Sequence, residues 1–183
     1  MNADKHPTYN AERSTPHGGA TPNSRRYDLE ERLLNYAIRL IRMVDALPPS
    51  RSGDHMGGQL LRSGTSPTLN HGEVEAAESL KDFIHKLKIC LKELKESRRN
   101  LLVIEGVPLA KNLEEVRALS DETEQLIRIF SASIRTAQKR LVSDPERSVA
   151  REESSLEFES ADPCPWIFEI FREAIDEMEG PVQ

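Results

Sequence analysis

The sequence predicts an all-α protein: an antiparallel, up-and-down four-helix bundle with a disordered N-terminal arm and an acidic C-terminal tail. Charged residues make up 31% of the chain and aromatic residues only 5%, which is typical of long helices with one wet face. Apolar residues recur at steps of three and four along four long stretches. The connections between these stretches are short, which favours antiparallel neighbours.

The first helix follows an arm of residues 1–26, whose Pro, Gly, Ser, Thr and Asn content predicts disorder. We expect the bundle to span residues 27–142. Asp28 and Glu31 can form a capping box at the start of the first helix, and Pro48-Pro49 ends it. One helical stripe is predicted to face the core: Leu33, Ala37, Leu40, Val44 and Leu47.

The second helical segment begins at Gly53-Asp54 and contains many small residues between Gly57 and Gly64. Small residues let another helix approach closely, and this is the favoured interpretation over a phosphate-binding loop. Pro67 lacks an N–H and predicts a kink or break just before it. Asn70 lies at this bend, where a structural role is favoured over contact with a partner.

The third helix carries two neighbouring stripes with the same spacing, one apolar and one basic. The predicted apolar stripe consists of Leu80, Ile84, Leu87, Leu91, Leu94 and Leu101. The basic stripe, one residue further on, consists of Lys81, His85, Lys88, Lys92, Lys95 and Arg99. This helix is predicted to end at Gly106, before Pro108.

The fourth helix begins at a capping box of Asn112 and Glu115 and is closed by Pro145. Its predicted inner stripe consists of Val116, Leu119, Thr123, Leu126, Phe130, Ile134, Ala137 and Leu141. Residues 143–163 form a predicted acidic linker. Residues 164–180 form a predicted short amphipathic helix that contains the only tryptophan of the chain.

The charge of the chain is unevenly distributed. The net charge is −6, but residues 141–183 carry twelve acidic and three basic residues, so residues 27–140 are close to neutral. The N-terminal residues lack the apolar core of a signal peptide, and no apolar run is long enough to span a bilayer. Cys90 and Cys164 show no disulfide or zinc spacing, so we expect a cytoplasmic protein without contact to membranes.

Several motifs between Tyr27 and Ile104 resemble a family of four-helix bundle proteins first found in the intervening sequences of bacterial 23S rRNA genes. The motifs are Tyr27-Asp28-Leu29-Glu30, Gln59-Leu60-Leu61-Arg62-Ser63-Gly64-Thr65-Ser66-Pro67, Asn70 with Gly72-Glu73, and Glu78-Ser79 followed by Lys81-Asp82-Phe83-Ile84-His85-Lys86-Leu87-Lys88-Ile89. The resemblance implies an antiparallel four-helix bundle that assembles into a homopentamer. A related protein is an accessory factor of diversity-generating retroelements, where the barrel engages nucleic acid and a reverse transcriptase.

The basic stripe leads to the first functional hypothesis, a non-enzymatic oligomer that binds RNA or DNA or serves as a ribonucleoprotein accessory factor. Lys and Arg side chains bind phosphates through release of counterions, and a solvated, charge-balanced helix face is the alternative. The expected nucleic-acid-binding residues are Arg62, Lys81, His85, Lys88, Lys92, Lys95 and Arg99.

A second hypothesis places the function in the C-terminal amphipathic helix. The bundle would then only multimerise, and a protein partner would bind at Trp166, Phe168 and Phe171. This acidic helix could also fold back on the basic stripe and mask it. The five histidines share no metal-ligand spacing and no nucleophile motif is present, so we expect neither cofactor nor catalysis.

Overall fold

The computed structural model of the protein describes residues 29–143 and 165–179, and regular structure in these ranges is helical throughout. The helices are α1 (Leu29–Asp45), α2 (Arg51–Glu75), α3 (Leu80–Gly106), α4 (Leu113–Ser143) and α5 (Pro165–Glu179). The predicted all-α class is therefore confirmed. The arm of residues 1–26 and nearly all of the linker predicted at 143–163 lie outside the described residues.

The first four helices pack in a closed order, α1 against α2, α2 against α3, α3 against α4, and α4 against α1. The space between them is filled by a continuous apolar core. The largest fully buried side chains include Tyr36, Phe83 and Phe130, together with leucines from all four helices. Burial of apolar surface at roughly 25 cal/mol per Å² is the main stabilising contribution to such a core.

Helix α4 is contacted by different helices along its two halves. Arg32 and Arg39 of α1 pair with Glu122 and Glu115, in the first half of α4. Helix α5 contacts the second half, where the rings of Phe130 and Phe171 lie 6.3 Å apart. The predicted inner stripe of α4 is buried except for half-buried Leu141, and the second half also buries Ile129, Ala132, Ser133 and Thr136.

Helix α2 begins earlier than the sequence predicts, and of the kink or break predicted at its proline, the break does not occur. It begins at Arg51 because the Ser50 side chain accepts a hydrogen bond from the Gly53 N–H at 3.0 Å and caps the helix. It also continues through Pro67 to Glu75 without a break. Asn70 supports this segment, since its Nδ2 donates to the Ser66 carbonyl at 2.9 Å and to the Ser66 hydroxyl at 2.8 Å. These bonds agree with the structural role predicted for Asn70.

The inner face of α3 is centred about one residue before the predicted apolar stripe. Leu80 and Leu91 are only half-buried. Because α3 packs against both α2 and α4, its buried face is wider than a single stripe. The buried residues are Phe83, Ile84, Leu87, Cys90, Glu93, Leu94, Ser97, Leu101 and Ile104.

A layer of hydroxyl groups crosses the core. Tyr36 of α1 lies 2.9 Å from the hydroxyl of Thr123 of α4, and Ser97 of α3 lies 3.0 Å from the hydroxyl of Ser63 of α2. Burial raises the pKa of Tyr36 to about 12, although hydrogen bonds with Thr123 and Ser97 lower it. Each of the four helices therefore contributes one buried hydroxyl to this hydroxyl layer.

Candidate nucleic-acid interface

The six residues of the basic stripe all lie exposed on α3. The helix turns its wide apolar face towards α2 and α4, which leaves Lys81, His85, Lys88, Lys92, Lys95 and Arg99 on its outer side. At a rise of 1.5 Å per residue the stripe is about 27 Å long. Neighbouring residues of the stripe are three or four positions apart in the sequence, so their Cβ atoms lie about 5–6 Å apart along one line.

Most of the stripe is not neutralised by neighbouring acids. Among the described residues, the one carboxylate paired with a stripe cation belongs to Glu93, whose Oε1 lies 3.9 Å from Lys92 Nζ. That Lys92 side chain remains 77% exposed. A pair this long and this exposed contributes little binding energy. The stripe therefore keeps its positive charge available to a ligand.

The acidic residues beside the stripe pair mainly with other cations. Asp82 Oδ2 lies 2.8 Å from Lys86 Nζ, which is outside the stripe. Burial opposes ionisation of Asp82, but hydrogen bonds from Lys86 and from the Glu78 backbone N–H lower its pKa overall. The charge-balanced alternative is therefore met only in part on this face, by Glu93 near Lys92 and by the electrostatic interaction of Asp82 with His85.

Arg62 reaches the same surface from α2. Its Nη2 lies 2.5 Å from Glu96 Oε1 of α3, and its side chain is 61% exposed. Arg98, also on α3, makes a similar pair with Glu124 of α4 at 2.5 Å, with both side chains partly exposed. These two arginines are thus held by carboxylates. They are less available to phosphate than the stripe is.

The aromatic residues predicted to bind a partner on α5 are mostly turned towards the chain's own core. Phe171 is buried, with ring centroids 5.8 Å from Phe83 and 6.0 Å from His71. Trp166 is half-buried and meets Phe83 edge-on at 5.2 Å. Phe168 is 48% exposed. Of the three predicted contacts, Phe168 is thus the one that the docked helix leaves open to solvent.

The acidic face of α5 does not lie on the basic stripe. Its carboxylates pair with cations of α4 instead. Glu173 Oε1 lies 2.5 Å from Arg140 Nη2, Glu169 Oε2 lies 3.4 Å from Arg140 Nη1, and Glu177 Oε1 lies 3.3 Å from Lys139 Nζ. The predicted masking of the stripe by this helix is therefore wrong for the described residues. Apolar docking on α4 places these acids over the second half of that helix.

The cationic surface at the end of α4 was missed by the sequence analysis. Arg135 and Lys139 are exposed, and Arg140 is half-buried beneath α5. The available signal was complementary charge, since three glutamates recur every four residues on the tail helix and lysine and arginine close α4. The spacing of residues in the sequence does not reveal which of several basic helices such an acidic face will contact.

Within residues 29–143 and 165–179, no three His, Cys, Asp or Glu side chains come together as metal ligands. In the same residues, no helix has the length and apolar character needed to cross a membrane. Cys90 is buried in α3, and burial raises the pKa of its thiol to about 12. A buried, protonated thiol is a poor nucleophile.

The chain is similar to a protein of unknown function from the S23 ribosomal protein family of Bacteroides thetaiotaomicron, known from a crystal structure. The two share 28% sequence identity with a TM-score of 0.53, over 57% of this chain and 96% of that protein. This similarity agrees in broad terms with the resemblance to the 23S rRNA intervening-sequence family. No protein-family model matches this chain, and no curated protein does.

Proposed function

We propose that this protein is a non-enzymatic, oligomeric helical bundle that binds nucleic acid through the basic stripe of α3. The observation that carries the proposal is the stripe itself, in which six residues are exposed in one line and a single cation has a weak acidic partner. The stripe presents a side chain about every 5–6 Å along the helix, so several of its cations can meet phosphates of one strand at the same time.

The proposed binding is directed at the backbone and not at the bases. No aromatic side chain is interleaved with the stripe between residues 81 and 99 except Phe83, which is buried. Stacking of bases on aromatic rings is the usual means of holding single strands by their bases. Binding of this kind fits an RNA-binding or reverse-transcriptase accessory role, as the resemblance to the retroelement proteins implies.

The fold proposed for this role is an antiparallel bundle. Ion pairs between helices support it, because the residue number on one helix rises as that on the other falls. The supporting pairs are Arg32–Glu122 and Arg39–Glu115 between α1 and α4, and Arg98–Glu124 and Glu105–Arg117 between α3 and α4.

The proposed oligomer, a homopentamer by resemblance, is supported by an apolar face on α1. Leu34, Ile38 and Ile41 are 51%, 37% and 40% exposed, and their spacing places them on one side of the helix. In an oligomer the stripes of several chains would act on the same ligand and raise its affinity.

The test is binding of RNA or DNA oligonucleotides by the wild type and by the double variant Lys88→Glu/Lys92→Glu. We expect wild-type affinity to fall steeply with salt concentration and the variant to lose about tenfold or more, with a shallower salt dependence. Arg51→Glu/Lys111→Glu is the matched control, since it reverses two exposed cations that lie off the stripe and off the apolar face of α1.

Equal losses in the two double variants would show that net charge, and not the stripe, governs binding. The scaffold alternative keeps one observation in its favour, the exposed ring of Phe168 on α5. Binding of a protein that is insensitive to salt and lost on Phe168→Ala would support that alternative.

A further inference from the structure

Helix α5 docks on α4, and its aromatic rings also contact Phe83 of α3 and His71 of α2. Ile167, Ile170 and Ala174 are fully buried there. Phe171 lies between Phe83 of α3 and Phe130 of α4. The stripe residues Lys81 and His85 flank Phe83 in the sequence, so α5 lies at the end of the molecule where the basic stripe begins.

On the polar side of α5, carboxylates occupy positions on α4 where an anion from solution could bind. Three of its carboxylates hold Arg140 and Lys139, and each of these glutamates is about half exposed. Such exposed ion pairs are weak and are screened by salt. An anion from solution can therefore exchange with these carboxylates without disturbing the buried side of the helix.

Arg135 lies next to this cluster, one helical turn before Lys139. It is exposed, and within the described part of the chain no carboxylate pairs with it. Arg135 and Lys139 line the same shallow, open surface at the end of α4. The second half of α4 thus carries three cations, two of which already bind carboxylates.

We propose that Arg135, Lys139 and Arg140 form a second phosphate-binding surface for nucleic acid, and that the α5 carboxylates occupy this surface until phosphates replace them. The apolar side of α5 stays docked during the exchange. Helix α5 is then a built-in competitor that weakens binding and makes it selective for ligands long enough to reach both surfaces. This inference rests on the proposed function and adds a site and a means of regulation to it.

The experiment replaces the three carboxylates by amides of the same shape in Glu169→Gln/Glu173→Gln/Glu177→Gln. Binding of a labelled single-stranded RNA of about 20 nucleotides is measured at several salt concentrations. We expect affinity to rise several-fold and the slope of log K against log salt to steepen by about one to two, because one to two more phosphates are contacted. A DNA strand of equal length should show the same change, since the phosphodiester backbone is the shared ligand.

The matched control is Glu30→Gln/Glu114→Gln/Asp121→Asn, which removes the same charge from exposed residues of α1 and of the first half of α4. It reports the general effect of net charge. Adding Arg135→Gln to the α5 triple variant should remove part of its gain. Fluorescence of Trp166, the only tryptophan, should keep its emission maximum in the triple variant, because α5 stays docked.

Equal affinities and slopes in the two triple variants would overturn the second surface. A red shift of Trp166 emission that accompanies the gain would also overturn it, because undocking would then explain the gain. The proposed function is judged separately by Lys88→Glu/Lys92→Glu. If that variant loses binding while the α5 triple variant binds with the same affinity and salt dependence as its control, the result supports the basic stripe and rules out the second surface. If no variant binds nucleic acid, both proposals fall.

Discussion

Gly64 of α2 lies in close contact with α1. A Cβ added there would overlap the Cδ1 atom of Leu40 and lie 3.2 Å from its Cγ and Cδ2. Leu40 is fully buried in the core, and side chains in a densely packed core have little room to change conformation. At Gly58, six residues earlier on the same helix, an added Cβ would meet nothing within 4 Å.

We predict that Gly64→Ala lowers the free energy of unfolding by about 1–3 kcal/mol, because the extra methyl overpacks the core. The control Gly58→Ala should raise it by up to about 1 kcal/mol, because alanine favours the helix and meets no neighbour. Urea denaturation followed by circular dichroism measures both. Stabilisation by both substitutions would show that α1 and α2 are not in close contact at Gly64.

The close approach at Gly57 and Gly64 was predicted from the small residues of this segment, and it is confirmed by the 3.0 Å that would separate a Gly57 Cβ from Val44 Cγ1. The partner helix could not be predicted in the same way. A small residue reveals that space is needed, whereas the side chain that fills the space is decided by tertiary packing.

For helix α5, too, the sequence predicts the apolar face but not the surface that covers it. The periodicity of Ile167, Phe171 and Ile175 predicts an apolar face, but not what that face covers. Such a face could either bind a partner protein or dock on the chain's own bundle. The structure places the face on α4, which also explains why Ile129 and Ala132, outside the predicted inner stripe, are buried.

We predict that Phe171→Ala releases or loosens α5 while the other helices stay folded, because the ring contacts with His71, Phe83 and Phe130 are lost together. Removal of a buried phenylalanine costs about 3–5 kcal/mol, which exceeds what exposed ion pairs can supply. Trp166 emission should shift to the red. Phe168→Ala, at a 48% exposed position, should leave emission unchanged, and an equal shift in both variants would contradict the docked arrangement.

On the scale of the whole molecule, the exposed apolar residues are distributed unequally over the helices. The exposed face of α1 is a line of Leu34, Ile38 and Ile41. Leu69 of α2 and Val142 at the end of α4 are single positions on their helices, and a shorter group, Leu102, Val103 and Val107, lies at the end of α3. Single exposed apolar residues are normal on a protein surface, whereas a continuous line indicates an interface.

We predict that Ile38→Asp reduces the proposed oligomer to a species near the chain mass of 20.7 kDa in native mass spectrometry, because burial of an unpaired carboxylate at an interface is costly. Val142→Asp is the control, since Val142 is 82% exposed, and it should leave the assembly intact. A wild type that is already monomeric, or an assembly that resists Ile38→Asp, would contradict this use of α1.

The hydroxyl layer also limits which alignments of the helices are possible. If one helix moved along its axis by a single turn, about 5.4 Å, Tyr36 and Thr123, or Ser63 and Ser97, would separate. Ser63, Ser97 and Thr123 would each keep a hydrogen bond to the carbonyl four residues earlier on their own helix. The Tyr36 hydroxyl has no such bond, and its loss of partners in the buried core would cost about 1–3 kcal/mol. Tyr36, which hydrogen-bonds Thr123 of α4 and Ser97 of α3, therefore favours one alignment of these two helices over others that apolar packing alone would allow, and with it a constant height of the outward cations of α3 relative to the end of α4.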